Sequence, residues 1–275
     1  MQVADTVAGA RELFAASERP LGFVPTMGAL HAGHLALVRR ARERCAAVAA
    51  SIFVNPLQFG PSEDLATYPR DPEHDRQKLQ DAGVDVVFAP DGAEMYPAGF
   101  ATTVDPGAIG TVFEGAIRPG HFAGVATVIA KLLNIVCPDV LFLGQKDAQQ
   151  AIVLRRVVAD LNFRVEIEIV PTVRERDGLA LSSRNAYLDA EQRAQAPTLH
   201  AALLAVRDAL DAGRNKSDAI AMGTATLSAS AKLEYLDVVD GTTFAPAERL
   251  VAPAFVIGAA RFGTTRLIDN LWIAK

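Results

Sequence analysis

Short apolar runs rich in branched residues alternate with longer helical stretches as far as Val170, and no other feature restricts the fold as strongly. The runs Leu21–Val24, Val48–Val54, Val84–Ala89, Val140–Leu143 and Arg164–Val170 read as strands. The stretches His34–Ala47, Glu73–Ala82, Phe122–Val136 and Ala148–Leu161 read as helices, as does a leading segment, Val3–Phe14, with apolar positions at Val3, Val7, Ala10, Leu13 and Phe14. Strand–helix alternation predicts an α/β fold: a Rossmann-like parallel sheet covered by helices on both faces.

The pattern changes near Thr172. A polar loop, Arg174–Asn185, leads to helices at about Ala190–Ala212 and Lys216–Ala229 and strands at Leu233–Val239, Ala254–Ala260 and Thr265–Ile268. This order predicts a smaller α+β C-terminal domain over residues 173–275, after a first domain over residues 1–172. The 275 residues are enough to bury a sizeable core without covalent staples. Two cysteines, Cys45 and Cys137, exclude a disulfide framework and a thiolate metal site, and their scarcity fits a reducing compartment. A formal charge of −5 argues against life on a nucleic-acid backbone. The most apolar stretch, Val125–Leu143, is broken by Lys131, Asn134 and Asp139, so no membrane span is expected, and Met1–Ala16 lacks the pattern of a secretory signal.

In an open parallel sheet, ligands bind beyond the carboxyl ends of the strands. The unusual polar residues of this chain fall there: Pro25-Thr26-Met27-Gly28-Ala29-Leu30-His31-Ala32-Gly33-His34 after the first strand, Asn55–Gly60 after the second, Gly144-Gln145-Lys146-Asp147 after the fourth. His31 and His34 are three apart where a loop becomes a helix and can share a face. The helix start offers N–H groups and a positive dipole end, which suit a phosphate. The plainer alternative is one capping and one solvated histidine. Lys146 can be merely solvated, Asp147 merely a helix cap, and Leu181-Ser182-Ser183-Arg184-Asn185 an ordinary loop, although two hydroxyls and a guanidinium can also wrap phosphate oxygens.

Together these residues carry a resemblance. His31-Ala32-Gly33-His34 resembles the HIGH motif of the nucleotidylyl-transferring superfamily, and Ser182-Ser183-Arg184 its KMSKS-type loop. The longer strings Val24–His31, Phe53–Gly60, Arg118–Val125, Phe142–Asp147, Leu181–Asn185 and Gly263–Asn270 are similar to the pantothenate synthetase (pantoate–beta-alanine ligase) family over nearly the whole chain. The resemblance implies ATP-dependent joining of pantoate and beta-alanine through pantoyl adenylate, with Mg²⁺, a homodimer, a C-terminal lid domain and a cytoplasmic setting. It implies catalytic roles for His34, His31 and Lys146, with His34 the usual proton donor. ATP contacts fall to Pro25, Met27, Gly28, Ala29, Leu30, His31, Ala32, Gly33, His34, Gly144, Gln145, Lys146, Asp147, Val173, Leu181, Ser182, Ser183 and Arg184. Gln58 and Gln150 match the pantoate ligands, and Asp75 an acidic position associated with metal. His74 stands where some relatives carry a second acid.

Arg118 and His121 could reach an anion or simply cap a helix, and His200 lies outside every motif and reads as structural. Three rivals are weaker. Another nucleotidylyltransferase does not account for the Asn55–Gly60 string and Gln150. A relative of the aminoacyl-tRNA synthetases lacks a basic, aromatic-rich nucleic-acid module. A nucleotide-binding regulator has no use for His31, His34, Lys146 and Arg184 together.

Overall fold

The computed structural model describes every residue except Ser62, Asp64 and Lys275. The chain separates into two compact units, one formed by Met1–Gly144 with Val153–Val170, the other by Gln145–Ile152 with Pro171–Lys275. The expected division at 172 thus differs in one substantial way: the segment after the fourth predicted strand, Gln145–Ile152, packs with the C-terminal residues.

The first unit runs β1 (Gln2–Ala4), α1 (Val7–Ala15), β2 (Leu21–Thr26), α2 (Ala32–Arg44), β3 (Ala47–Ile52), α3 (Pro72–Asp81), β4 (Val86–Phe88), α4 (Gly92–Met95), α5 (Glu114–Ile117), α6 (His121–Val136) and β5 (Val140–Gly144). Helix α7 (Ala148–Asp160) leads back to β6 (Glu166–Val170). The six strands form one parallel sheet in the order β1-β4-β3-β2-β5-β6. Strands β2 and β3 are almost continuous buried apolar runs, as central strands covered on both faces must be. One face packs Val38, Ala41 and Leu79 of α2 and α3 against Val24, Val48, Val87 and Phe142. On the first unit's other helical layer, Phe122 and Ala126 of α6 meet Val153 and Val157 of α7.

One expectation fails at the N-terminus. Val3 lies in an edge strand paired with β4, not in a helix. The helix begins only after Thr6, whose hydroxyl accepts from the Gly9 N–H at 3.2 Å as an N-cap. Apolar spacing alone blurred a three-residue strand into the helix behind it.

The second unit carries α8 (Ala190–Gln195), α9 (Thr198–Asp211), α10 (Lys216–Thr226) and an antiparallel sheet of β7 (Ala231–Asp240), β8 (Ala254–Phe262) and β9 (Thr265–Ile273), with β8 central. Leu203 and Val206 of α9 pack on Leu236, Val238 and Val256. The single helix expected over Ala190–Ala212 is two. Pro197 has no N–H to continue the ladder, so α8 stops at Gln195 and α9 restarts at Thr198. The segment Arg174–Asn185 is more ordered than a plain loop. Arg174 and Ala180 form an antiparallel bridge, and residues 183–187 a short 3₁₀ helix capped by the Ser182 side chain.

Candidate active site

Strand β2 has β3 on one side and β5 on the other, and the chain leaves these neighbours in opposite directions across the sheet. This is a topological switch point, where ligand crevices form in open α/β sheets. Beyond β2 the chain turns through Gly28 and Ala29, both at positive φ (79° and 50°). For alanine that conformation costs on the order of 1–3 kcal/mol, and neighbouring groups hold it. The Asp75 carboxylate, 2% exposed, accepts the Ala29 N–H on one oxygen and the Leu30 N–H on the other, each at 2.8 Å. Lys78 Nζ donates to the Leu30 carbonyl at 2.7 Å. A Cβ on Gly28 would stand 2.8 Å from Asp75 Oδ2, so the close approach requires glycine.

The turn delivers His31 as the N-cap of α2. His31 Nδ1 accepts the Gly33 N–H at 3.1 Å, and His34 Nδ1 accepts the His31 N–H at 3.3 Å, a capping box built from two imidazoles. A nitrogen that accepts carries no proton, so the neutral ring of each histidine bears its proton on Nε2. The rings lie 4.2 Å apart, centroid to centroid. Both histidines therefore take part in the cap through Nδ1, rather than one capping and one solvated, and in each neutral ring the proton falls on Nε2.

Gln58 belongs to the same unit, in a short 3₁₀ turn over residues 56–58. Its Nε2 lies 3.1 Å from Met27 Sδ, and its Oε1 accepts from Asn55 Nδ2 at 3.0 Å. Asn55, 1% exposed, also donates to the Gly124 carbonyl and accepts from the Tyr96 hydroxyl at 2.7 Å. Helix α6 packs so closely here that a Cβ on Gly124 would come within 2.1 Å of the Leu57 carbonyl oxygen. His121 Nδ1 stands 2.8 Å from the Gln58 carbonyl, and Arg118 Nη1 lies 3.1 Å from His121 Nε2. The guanidinium can only donate, so the neutral ring accepts on Nε2 and donates from Nδ1 to Gln58. Burial, reinforced by the Arg118 charge, lowers the His121 pKa to about 4. Arg118 is itself paired with Glu63, at 2.8 and 2.5 Å. Arg118 and His121 thus hold Gln58 from its backbone.

In the second unit, residues 145–147 form a 3₁₀ turn ahead of α7. Lys146 is largely buried, its Nζ 3.5 Å from Asp147 Oδ1. Lys146 and Ser182 line one small cavity together with His200 and Asp269. The carbonyl of Val173 accepts the Leu181 N–H at 3.0 Å, closing the hairpin that precedes Ser182, Ser183 and Arg184. Gln150 sits half-buried in the first turn of α7. The two glutamines assigned to pantoate therefore fall in different units.

A family model described as pantoate-beta-alanine ligase matches residues 2–272. The chain belongs to the pantoate-beta-alanine ligase family. The pantothenate synthetase of Chloroflexus aggregans is 54% identical over 277 residues, covering 99% of both sequences. That of Thermus thermophilus is 54% identical over 270 residues, 97% of this chain and 98% of its own. The crystal structure of the Thermus thermophilus pantothenate synthetase has a TM-score of 0.94 at 52% identity, covering 100% of both chains. The pantoate-beta-alanine ligase of Francisella tularensis, in a structure complexed with beta-gamma ATP and beta-alanine, has a TM-score of 0.82 at 34% identity over 99% of this chain and 97% of its own. The chain is an ATP-dependent ligase that forms pantothenate from pantoate and beta-alanine.

For a ligase of this family, the placement of Asp75 is informative. Each oxygen already accepts a backbone N–H, the group is buried, and His74 beside it is exposed, its backbone N–H donating to Asp71. Among the described residues, no group of three His, Cys, Asp or Glu side chains gathers to hold a metal. Sequence reasoning also missed Asn55 and Lys78 as holders of the Gln58 turn and the histidine loop. Asn55 stood inside a quoted motif, just before Pro56; Lys78 carried no signal, because its bond to Leu30 spans 48 residues.

Proposed function

We propose that the ligase works in two steps through pantoyl adenylate. A pantoate carboxylate oxygen attacks the α-phosphorus of ATP, and the bond to the β-phosphate oxygen breaks, releasing pyrophosphate. The amine of beta-alanine then attacks the acyl carbon, the carbon–oxygen bond to AMP breaks, and the amine loses a proton as pantothenate forms. Charge in the first transition state develops on the phosphoryl oxygens, so fixed donors there do most of the work. The fixed Nε2 protons of His31 and His34 carry this reading, since they present two donors at a helix N-terminus with no reorganisation. Lys146 is assigned the role of a cation in the same step. Ser182, Ser183 and Arg184 take the phosphates that leave, Gly144 and Asp147 the ribose, and Val173 the base through its backbone.

Gln58, supported from Asn55 and His121, is assigned to pantoate together with Gln150. A neutral amide orients the carboxylate without quenching it as a nucleophile. Mg²⁺ is assigned to the phosphates of ATP, and Asp75 to the loop. A cytoplasmic homodimer completes the reading. Two cysteines outside any disulfide fit a reducing compartment, and no helix among the described residues is long and apolar enough to cross a membrane.

ATP–pyrophosphate exchange without beta-alanine tests the first step. Exchange is expected only when pantoate is present; exchange that ignores pantoate overturns the order of steps. Gln58→Ala should raise the KM for pantoate far more than that for ATP, and equal losses would remove Gln58 from the acid pocket.

A further inference from the structure

The string Gly263–Asn270 marked the family in sequence, yet none of its residues has a part in the chemistry above. In the second unit, its last two members reach both segments that carry phosphate-directed side chains. Asn270, 2% exposed, donates from Nδ2 to the carbonyls of Gln145 and Lys146, both at 2.9 Å, and accepts from Gln145 Nε2 at 3.2 Å. Both amide protons and the amide oxygen are thus spent on the turn that bears Lys146. Two carbonyls converging on one nitrogen fix which way the amide points.

Asp269, 5% exposed, receives Arg174 on both oxygens, at 2.6 and 2.8 Å. Arg174 also donates to the Gly178 carbonyl at 3.0 Å and the Asn270 carbonyl at 3.1 Å. It thereby ties β9 to the start of the hairpin, where Arg174 itself sits, and to its turn at Gly178; the hairpin's exit is Leu181 and then Ser182–Arg184. His200 stands beside Asp269, Nδ1 to Oδ2 at 3.5 Å. Consecutive residues on a strand point to opposite faces, so neighbours 269 and 270 can hold two different segments at once.

We infer that Asp269 and Asn270 are positioning residues that set the Lys146 turn and the Ser182–Arg184 arm in register with each other. The inference rests on the roles proposed for Lys146 and Arg184. Neither β9 side chain needs to touch substrate. Each fixes a backbone from which a reacting contact is made, and a misplacement of about 1 Å at such a contact can cost on the order of 10²-fold in rate.

The test measures single-turnover formation of pantoyl adenylate from ATP and pantoate, with thermal unfolding alongside. Asn270→Asp keeps the shape but turns an oxygen toward two carbonyls. It should slow adenylation roughly 10–100-fold with the KM for pantoate unchanged, and speed hydrogen exchange at residues 145–147. Asn270→Ala, which adds no charge, carries the same comparison where Asn270→Asp fails to fold. In the Lys146→Ala background, the Asn270 substitution should cost almost nothing more, because it acts through Lys146. The Asp269→Asn and Arg184→Ala pair should behave the same way.

The proposed chemistry and the positioning role fail separately. Normal adenylation by Lys146→Ala overturns the role of the lysine. A slow Lys146→Ala enzyme combined with a normal rate for the folded Asn270 variants, or with fully additive losses, overturns positioning by β9.

Discussion

In the histidine loop, the groups that fix each imidazole lie two or three residues away in sequence; in the lysine turn, the amide that fixes the backbone lies 124 and 125 residues away. The first device forms as soon as α2 nucleates, because the cap is part of the helix. The second exists only when β9 has joined its sheet. Asp75 lies between these extremes, reaching 45 and 46 residues back to the loop. Local capping leaves the histidine rings dependent on remote groups only through the Asp75 and Lys78 contacts to the turn before them. Remote fixation ties the lysine to the integrity of the whole second unit.

The largest expected effect asks whether the two regions serve one step. His34→Ala and Lys146→Ala should each slow formation of pantoyl adenylate by roughly 10²–10³-fold, about 2.7–4 kcal/mol. Aminolysis of supplied pantoyl adenylate should lose much less, since its charge develops at the acyl carbonyl. If one variant fails mainly in aminolysis, the two regions serve different steps and the comparison loses its common ground.

The next effect concerns acid. His121 binds its proton at about 4 in the folded chain and near 6.5 when unfolded. Below about 6.5 the unfolded chain takes up the proton first, so stability falls as pH drops from there to about 4 and then levels. The loss reaches about 3 kcal/mol at most. His121→Asn, whose amide nitrogen can still donate to Gln58, should flatten that stretch of the stability–pH curve measured by urea unfolding. An unchanged slope would remove His121 as the cause.

Asp75→Asn sharpens the middle case. The variant keeps one acceptor and turns an NH₂ group toward the other backbone N–H. Adenylation should slow by roughly 10-fold or more, with faster exchange at the Ala29 and Leu30 amides. The Mg²⁺ concentration giving half-maximal rate should stay where it is; a large rise, with rescue at high Mg²⁺, would make Asp75 a metal ligand after all. The smallest effect is expected on the hairpin's outer side, where Arg193 pairs with Glu175 and Asp177 in an exposed position. Arg193→Ala should cost less than about 1 kcal/mol and leave adenylation intact, because the buried Arg174–Asp269 pair holds that segment.

Much of this was legible in the sequence. Alternating runs gave five of the six sheet strands, the four central ones because strands covered on both faces are apolar and the edge strand β6 by its branched residues, and the residues following them gave the candidate site strings. The edge strand at Val3 was lost because three residues carry no period of their own. The roles of Asp75, His121, Asp269 and Asn270 were not legible for a different reason. Each acts through one hydrogen bond or a few, to groups 45 or more residues away, and such distant partners leave no mark in the local residue code.

The separation of Asn270 from the turn it holds, 124 and 125 residues, has a consequence for biosynthesis. Domains emerge from the ribosome N-terminus first, at about 5–20 residues per second. The sheet and the histidine cap can assemble while translation continues, but the lysine turn waits until the codon for Asn270 has been read. A nascent chain would then acquire the capped start of α2 well before the turn that bears Lys146 is held. A premature stop codon between the end of β6 at Val170 and Asn270 would spare every strand of the parallel sheet and still remove the amide that holds the lysine turn.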